Sequence, residues 1–512
     1  MACFFYGARD VVTRCESGGI LGCVRVDLSI MCRMNHVDLR TLFEQQHKAS
    51  RTHVEVTEFV RRERLLRLEK LIHEHGAELA AAVQADFGVR SPQLTEMADL
   101  MVLRTMLTHT LRNLKKWMRA QRVWTPMHLL PASGRIERQP LGVVGIISPW
   151  NYPLQLALGP AIAAMAAGNR VMLKPSELTP HTSAQLAHVV GQFFAPEEFC
   201  VVQGDVQVAS QFSGLPFDHL VFTGSTAVGR KVAIAAAQHL TPTTLELGGK
   251  SPCIISSDAD IAQAALRIAH GKLLNAGQTC IAPDYLLIPR GQEQAFEQAY
   301  AKAVAQLFPT IAGNPDYAAI INAKQLSRLR ALAQQAEAQG AQVQWLQEDA
   351  PVATPPTNAS KSDSAARQLP PALVWNVHSD MDIMQEEIFG PLLPVISYES
   401  LDDVIHAINA GPRPLALYWF GNDDKLRDSV LRRTVSGGVT VNDTLMHVAH
   451  DNLPFGGVGP SGWGAYHGEH GFLRFSHQKS VFLQAKWSPA SWLYPPYGAK
   501  FERVMALIKR LG

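Results

Sequence analysis

The chain has 512 residues, 47% of them hydrophobic and 18% charged, which at a typical ~150 residues per unit suggests about three folded units around a large core. Lys and Arg number 47 against 45 Asp and Glu, a formal charge of +2 that gives no field to draw nucleic acid or an anionic membrane face. Seven cysteines, Cys3, Cys15, Cys23, Cys32, Cys200, Cys253 and Cys280, form an odd scatter that argues for reduced thiols in a cytosolic protein and against a disulfide framework.

Residues 1–33 hold four of those cysteines. Their best apolar stretch, Gly18 to Val24, runs into Arg25 and Asp27, and Asp10, Glu16 and Asp27 break the acid-poor pattern of a mitochondrial presequence. The segment reads as a disordered or non-native N-terminal extension, with Met31 or Met34 as alternative starts. From His36 to about Gln121 apolar residues recur three and four apart, which predicts two long amphipathic helices. Residues 119–142, Pro-rich and with the alternating run RIERQP, read as an arm or hairpin. Then β-branched runs begin: VVGIISP, RVMLKPS, FCVVQG, HLVFTGS and TTLELGGKSPCIIS predict short strands, the first four each followed by a helical pattern. Strands alternating with helices mean a parallel α/β sheet. A second strand and helix series starts at Tyr285 and is interrupted at 352–371 by a Pro-, Ala- and Ser-rich segment, read as a mobile surface insertion. No run reaches the ~18 apolar residues of a membrane helix; the nearest, Leu156 to Gly168, contains Pro160. The C-terminal FERVMALIKRLG is too short to anchor and reads as a solvated terminal helix or a basic amphipathic turn pair at a membrane surface.

Several residues have the chemistry of a site. Cys280 follows Gly277, Gln278 and Thr279, a small, polar turn that suits an accessible nucleophile, whereas Cys200 and Cys253 sit in apolar strand-like runs and read as core. Glu246, between Leu245 and Leu247 and before Gly248 and Gly249, is either a general base with a desolvation-raised pKa or a satisfied charge at a sheet edge. The GGKS that follows is no phosphate loop, because Thr244 stands where that motif needs glycine. In FTGSTAVGRK, Gly224 permits a tight turn, Ser225 opens a helix whose N-terminus suits a pyrophosphate, and Gly229 lets that helix lie close to a strand. The spacing is not GxGxxG, so alone it is equally an N-capped helix. Lys174 and Glu177 fall at the carboxyl end of a strand, where doubly wound sheets bind nucleotides; they suit ribose hydroxyls, and the carboxylate repels a 2′-phosphate, but alone they are ordinary loop charges. Asn151 in SPWNYP is a possible oxyanion donor or a plain turn asparagine. His447, His450, His467 and His470 lack a companion ligand set, so no metal is expected.

PWNYP, LKPSE, FTGSTAVG, LELGGKSP and GQTC, followed by QEEIFGP at 385–391 and PFGGVGPSG at 454–462, occur in an order that resembles the aldehyde dehydrogenase superfamily over residues 40 to 490. NAGQTCIAPDY, GAYHGEHGF and FSHQKSV are similar to its class 3 branch and, within it, to bacterial coniferyl-aldehyde dehydrogenases. The resemblance implies an α/β architecture: a Rossmann-like parallel-sheet cofactor domain (34–118 and 143–245), an α/β catalytic domain (246–432), and a small β bridging element for oligomerisation (119–142 and 433–495), with a tail at 496–512. It implies Cys280 as nucleophile, Glu246 as general base and Asn151 as oxyanion donor. Lys174 and Glu177 would hold the adenosine ribose, Ser225 between Gly224 and Gly229 the pyrophosphate, and Glu387 the nicotinamide ribose with Phe389 packed nearby. The implied cofactor is NAD, with NADP possible, and the implied assembly a homodimer without nucleic acid or an integral membrane segment. Trp150, Tyr152 and Phe455 suit a flat or long apolar aldehyde, or are core. A fatty-aldehyde enzyme of the same family, a silent NAD-binding paralogue and a cysteine hydrolase with a histidine base at Cys280 are the alternatives.

Overall fold

The computed structural model describes residues 39–347 and 365–511. The expected N-terminal extension, with its four cysteines, and residues 352–364 of the expected insertion lie outside them.

Helix α1 (Leu39–Thr52) is followed by α2 (Glu58–Phe87), which the Thr57 hydroxyl caps by accepting from the amide of Val60 and Gly88 ends at φ +77°. Leu65, Leu68, Ile72, Gly76, Leu79 and Val83, three to four residues apart, form its buried stripe. Pro92 to Met118 is helical throughout, with a π turn at Glu96–Leu100 before α3 (Met101–Met118). The two long helices predicted from periodicity are thus present, and α1 precedes them.

Three sheets follow, built from strands β1 (Gln121–Val123), β2 (Ser133–Pro140), β3 (Val143–Ile147), β4 (Arg170–Lys174), β5 (Phe199–Val201), β6 (His219–Gly224), β7 (Thr243–Leu247), β8 (Pro252–Ile255), β9 (Tyr285–Pro289), β10 (Gln342–Trp345), β11 (Ala372–Trp375), β12 (Leu392–Tyr398), β13 (Ala416–Phe420), β14 (Gly438–Val441), β15 (Gly462–Trp463) and β16 (Ser476–Leu483). The first sheet runs β15-β7-β6-β3-β4-β5, parallel except for β15; the second runs β10-β11-β12-β9-β8-β13-β14, parallel except for β10. The arm strand β2 pairs antiparallel with β1 and, over its full length, with β16. These are the two parallel α/β layers and the small β element expected.

Every residue of β3 and β4 is buried, the consequence of helices covering both faces of a parallel sheet, and this is why β3 (VVGII) and the centre of β4 (Val171–Leu173) read as apolar runs without alternation. The apolar run around Pro160 forms α4 (Gln155–Ala166), a helix buried on all sides in the core beneath the first sheet. Among the described residues no helix is long and apolar enough to cross a membrane. The C-terminal segment forms a helix, Ala499–Leu511, adjoining the short turn Pro489–Leu493.

The run TTLELGGKSPCIIS is two strands in different sheets, β7 and β8, joined across Gly248–Ser251. The expected division at 245/246 therefore falls inside β7, and the expected bridging stretch 433–495 is shared among all three sheets through β14, β15 and β16. The end of the expected mobile insertion is also different from its reading. Arg367 donates to the carbonyls of Ile321 (2.7 Å) and Phe87 (2.8 Å), Gln368 to that of Tyr317 (2.6 Å), and Leu369 is buried. These bonds reach back 46 to 280 residues in sequence and tie 367–369 to the core.

Candidate active site

The segments that follow β3, β6 and β7 converge on one cavity of about 1140 Å³, closed from the other side by residues of the second layer. It is lined by Asn151, Ser225, Glu246, Cys280, Glu387 and Phe389, with Trp150 and Gly224 beside them. Eight residues from five separate motifs thus share a wall only because the strand ends do.

Cys280 stands after three successive left-handed residues, Asn275 (φ +52°), Ala276 (φ +53°) and Gly277 (φ +77°). A side chain on Gly277 would strike the carbonyl of Gly390, so the turn requires glycine on both counts. The turn lifts the partly exposed thiol to the cavity wall. Burial, and then the charges of Glu387 and Glu246, raise its pKa well above the ordinary thiol range, partly opposed by the amides of Cys280 and Ile281. Cys253 is core in β8 and Cys200 accepts from the Gln46 amide at 3.5 Å, as their apolar runs suggest.

Glu246 lies on β7 between Thr223 of β6 and Gly462 of β15. It is 2% exposed, its Oε1 has no protein partner, and burial alone holds its carboxyl well above the usual carboxylate range. Burial thus favours the protonated form, and only the ionised form can accept a proton. Asn151, also buried, donates its side-chain amide to the carbonyl of Gln278 at 3.1 Å. One amide hydrogen is thereby committed, which leaves the second for another acceptor.

Ser225 accepts from Val228 N (3.4 Å) and caps the helix α5 (Thr226–Ala237), whose first turn opens on the cavity. A Cβ on Gly229 would come within 2.6 Å of Leu247, so this glycine seats the helix against β7. A Cβ on Gly248 would collide with the Glu387 carboxylate, so the backbone there is the surface on which that carboxylate rests. Burial and the neighbouring Asp284 raise the Glu387 pKa to about 8, against the Gly249 amide, Lys250 and Arg328. Lys174 ends β4 and is buried, with its ammonium on the Pro175 carbonyl (2.6 Å) and 3.8 Å from Glu177; neither residue, nor Gly229, lines the cavity itself. Burial lowers the Lys174 pKa, which Glu177 and Asp205 partly offset.

Of the three aromatic residues, Trp150 lines the cavity and meets Phe389 edge-on at 5.4 Å. Tyr152 is core beneath the cysteine turn, with its hydroxyl 2.7 Å from Thr279 Oγ1, and Phe455 is buried against His467 (5.2 Å) and His447 (5.8 Å). Among the described residues no cluster of three or more His, Cys, Asp or Glu could hold a metal.

Three residues that sequence reading passed over fix the Glu387 loop. Lys250, from the GGKS rejected as a phosphate loop, pairs with Asp284 and donates to the carbonyls of Ile383 (2.8 Å) and Glu386 (3.2 Å). Asp284 accepts from Ile388 N at 3.0 Å. Arg328 binds Glu386 Oε1 (3.0 Å) and the carbonyls of Glu387 (3.3 Å) and Ile388 (2.5 Å). Lys250 and Asp284 are 34 residues apart and Arg328 is a further 44 on, so no local pattern announces them.

Residues 29–481 match the sequence profile of the aldehyde dehydrogenase family. The chain belongs to the aldehyde dehydrogenase family. Its members oxidise aldehydes with NAD(P). The chain is 48% identical to a probable coniferyl aldehyde dehydrogenase of Pseudomonas aeruginosa, over 86% of this chain and 89% of that protein. It is 45% identical to the coniferyl aldehyde dehydrogenase of a Pseudomonas species, over 87% and 91% respectively. Among solved structures, substrate-bound AldH of Staphylococcus aureus superposes with a TM-score of 0.84 at 35% identity, covering 92% of this chain and 99% of that one.

Proposed function

We propose that the protein oxidises an aromatic, cinnamyl-type aldehyde such as coniferyl aldehyde to its acid, with NAD preferred over NADP, through a thioester on Cys280. The observation that carries the chemistry is the convergence of Cys280, Glu246 and Asn151 on one cavity with Glu387 and Phe389. The substrate class rests on the 45–48% identity to proteins named for coniferyl aldehyde and on the aromatic lining of Trp150 and Phe389.

In this reading the Cys280 thiol gives its proton to solvent and the sulfur adds to the aldehyde carbon, while Asn151 and the Cys280 backbone amide hold the resulting alkoxide. NAD, when bound, supplies the two-electron oxidant that converts the resulting hemithioacetal to a thioester. The residues present suit it: the capped first turn of α5 for the pyrophosphate, the Glu387 carboxylate over Gly248 for one ribose, Lys174 and Glu177 for the other. Glu246 then takes a proton from water, whose oxygen attacks the thioester carbon; the C–S bond breaks, the acid departs, and Glu246 returns the proton to the Cys280 sulfur.

A panel of cinnamyl, benzyl and long-chain aldehydes compared by kcat/KM tests the substrate class. Coniferyl-type aldehydes are expected to lead, and a lead by fatty aldehydes would replace them. With either cofactor the same assay reads Glu177: a specificity constant about tenfold or more higher for NAD is expected from repulsion of the 2′-phosphate, and a ratio near one contradicts the assignment. Gly248→Ala is expected to push the Glu387 carboxylate aside and lower kcat/KM for NAD on the order of 10²-fold with the melting temperature nearly unchanged; wild-type kinetics would contradict it. The exposed apolar side chains of Trp124, Met127, Phe482 and Leu483 on and beside the three-stranded sheet support a homodimer closing over this element, and a cytoplasmic location fits the free thiols of Cys200, Cys253 and Cys280.

A further inference from the structure

Arg90 and Asp99 form an ion pair at 2.8 Å in which both side chains are wholly buried. Arg90 follows α2, and Asp99 belongs to the π turn at Glu96–Leu100. The guanidinium divides its donors among three stretches of chain: Nη2 to Asp99, Nη1 to the carbonyl of Asn151 (2.6 Å) and to Asn275 Oδ1 (3.1 Å), and Nε to Thr95 Oγ1 (3.3 Å). Its charge lies between the rings of Phe87 (4.8 Å) and Tyr152 (5.1 Å). The second Asp99 oxygen accepts from the amides of Leu154 (3.2 Å) and Gln155 (3.0 Å), at the start of α4. Asn275 in turn donates to the Asn151 carbonyl at 3.0 Å.

The turn bearing Asn151 and the turn bearing Cys280 are thus bolted together by side chains and not by strand pairing. A buried ion pair is a poor source of stability compared with apolar packing. What this one supplies is direction: a rigid planar fork that no single-point cation reproduces. The Asn151 amide it orients already has one hydrogen on Gln278 O, so any rotation of the turn re-aims the other.

We propose that Arg90, held by Asp99, is a positioning residue that sets the side-chain amide of Asn151 relative to the Cys280 thiol, so that the oxyanion donor is in place before the aldehyde arrives. The proposal rests on the reading of Asn151 as that donor. Arg90→Lys keeps the charge and removes the fork. It is expected to lower kcat/KM for aldehyde about 10- to 100-fold while the Kd for NAD, read by protein fluorescence quenching, moves by no more than about twofold. In an Asn151→Ala background the same Arg90→Lys change is expected to cost nothing more, because the group it acts through is gone. Losses that multiply in the double variant, or wild-type kinetics in folded Arg90→Lys, would overturn the proposal and leave the Asn151 reading intact. Full activity in Asn151→Ala alone would remove that reading and this proposal with it. If Arg90→Lys does not fold, Asp99→Asn carries the same cycle with the same outcomes.

Discussion

Cys280→Ala is expected to abolish aldehyde oxidation, with kcat lower by on the order of 10⁴-fold or more, while NAD still quenches protein fluorescence with its wild-type Kd. The size of the loss follows from what the sulfur does. Without a covalent bond to the carbonyl carbon there is no tetrahedral species held in place to give up its hydride, and no neighbouring group on the wall can substitute. The cavity's other functions are untouched, since Ser225, Glu387 and Phe389 are held by α5, Gly248, Lys250 and Arg328 and not by the cysteine. The replacement removes one sulfur from a partly exposed position, so the melting temperature should change little. Substantial turnover in Cys280→Ala would exclude the thioester route. A loss of NAD binding with it would mean that the variant had disturbed the cleft as a whole.

Glu246→Gln is expected to separate the two halves of the reaction. The first equivalent of NADH should form in a burst at close to the wild-type rate, and the steady-state rate should then fall on the order of 10²- to 10⁴-fold because water no longer has a base. The pH dependence has a definite sign. Burial holds the Glu246 carboxyl well above the usual carboxylate range, and only the ionised form accepts a proton, so deacylation in the wild-type protein rises with pH through that raised pKa and fails as pH falls through it. The Gln variant should lack this limb. The isosteric amide keeps the shape of a position that is 2% exposed, so the effect is chemical and not a cavity. Stopped-flow detection of NADH decides the matter, and a full steady-state rate in Glu246→Gln would remove the base assignment.

The parts of the fold that could be read from the sequence are those in which burial writes itself into a local pattern. β3 and β4 are covered on both faces and show as apolar stretches without alternation; α2 shows its stripe at three- and four-residue spacing. Which sheet a strand joins has no such imprint. The GGKS between β7 and β8 marks a turn, yet nothing local says that the chain there leaves one sheet for the other. Composition likewise misled at the end of the insertion, where Arg367 and Gln368 look like loop residues and are in fact fastened to carbonyls far away in sequence.

For the site, spacing alone left each motif ambiguous, and only their order along the chain pointed to a family. Cys280, Glu246, Asn151, Ser225, Glu387 and Phe389 do share one cavity. Tyr152 and Phe455 were legible as aromatic neighbours of motifs but not as core residues, since an aromatic side chain packs equally well on a substrate or under a turn. The supporting charges, Lys250 with Asp284 and Arg90 with Asp99, escaped notice because each acts on backbone carbonyls or amides of a distant loop, a function that no local motif records.

The most direct test is intact-protein and peptide mass spectrometry of Glu246→Gln mixed with NAD and coniferyl aldehyde and quenched within the burst. The predicted result is a mass increase equal to the acyl group, located on the peptide containing Cys280 and removed by hydroxylamine. NADH formed in one full equivalent with no acyl group on Cys280 would contradict the account.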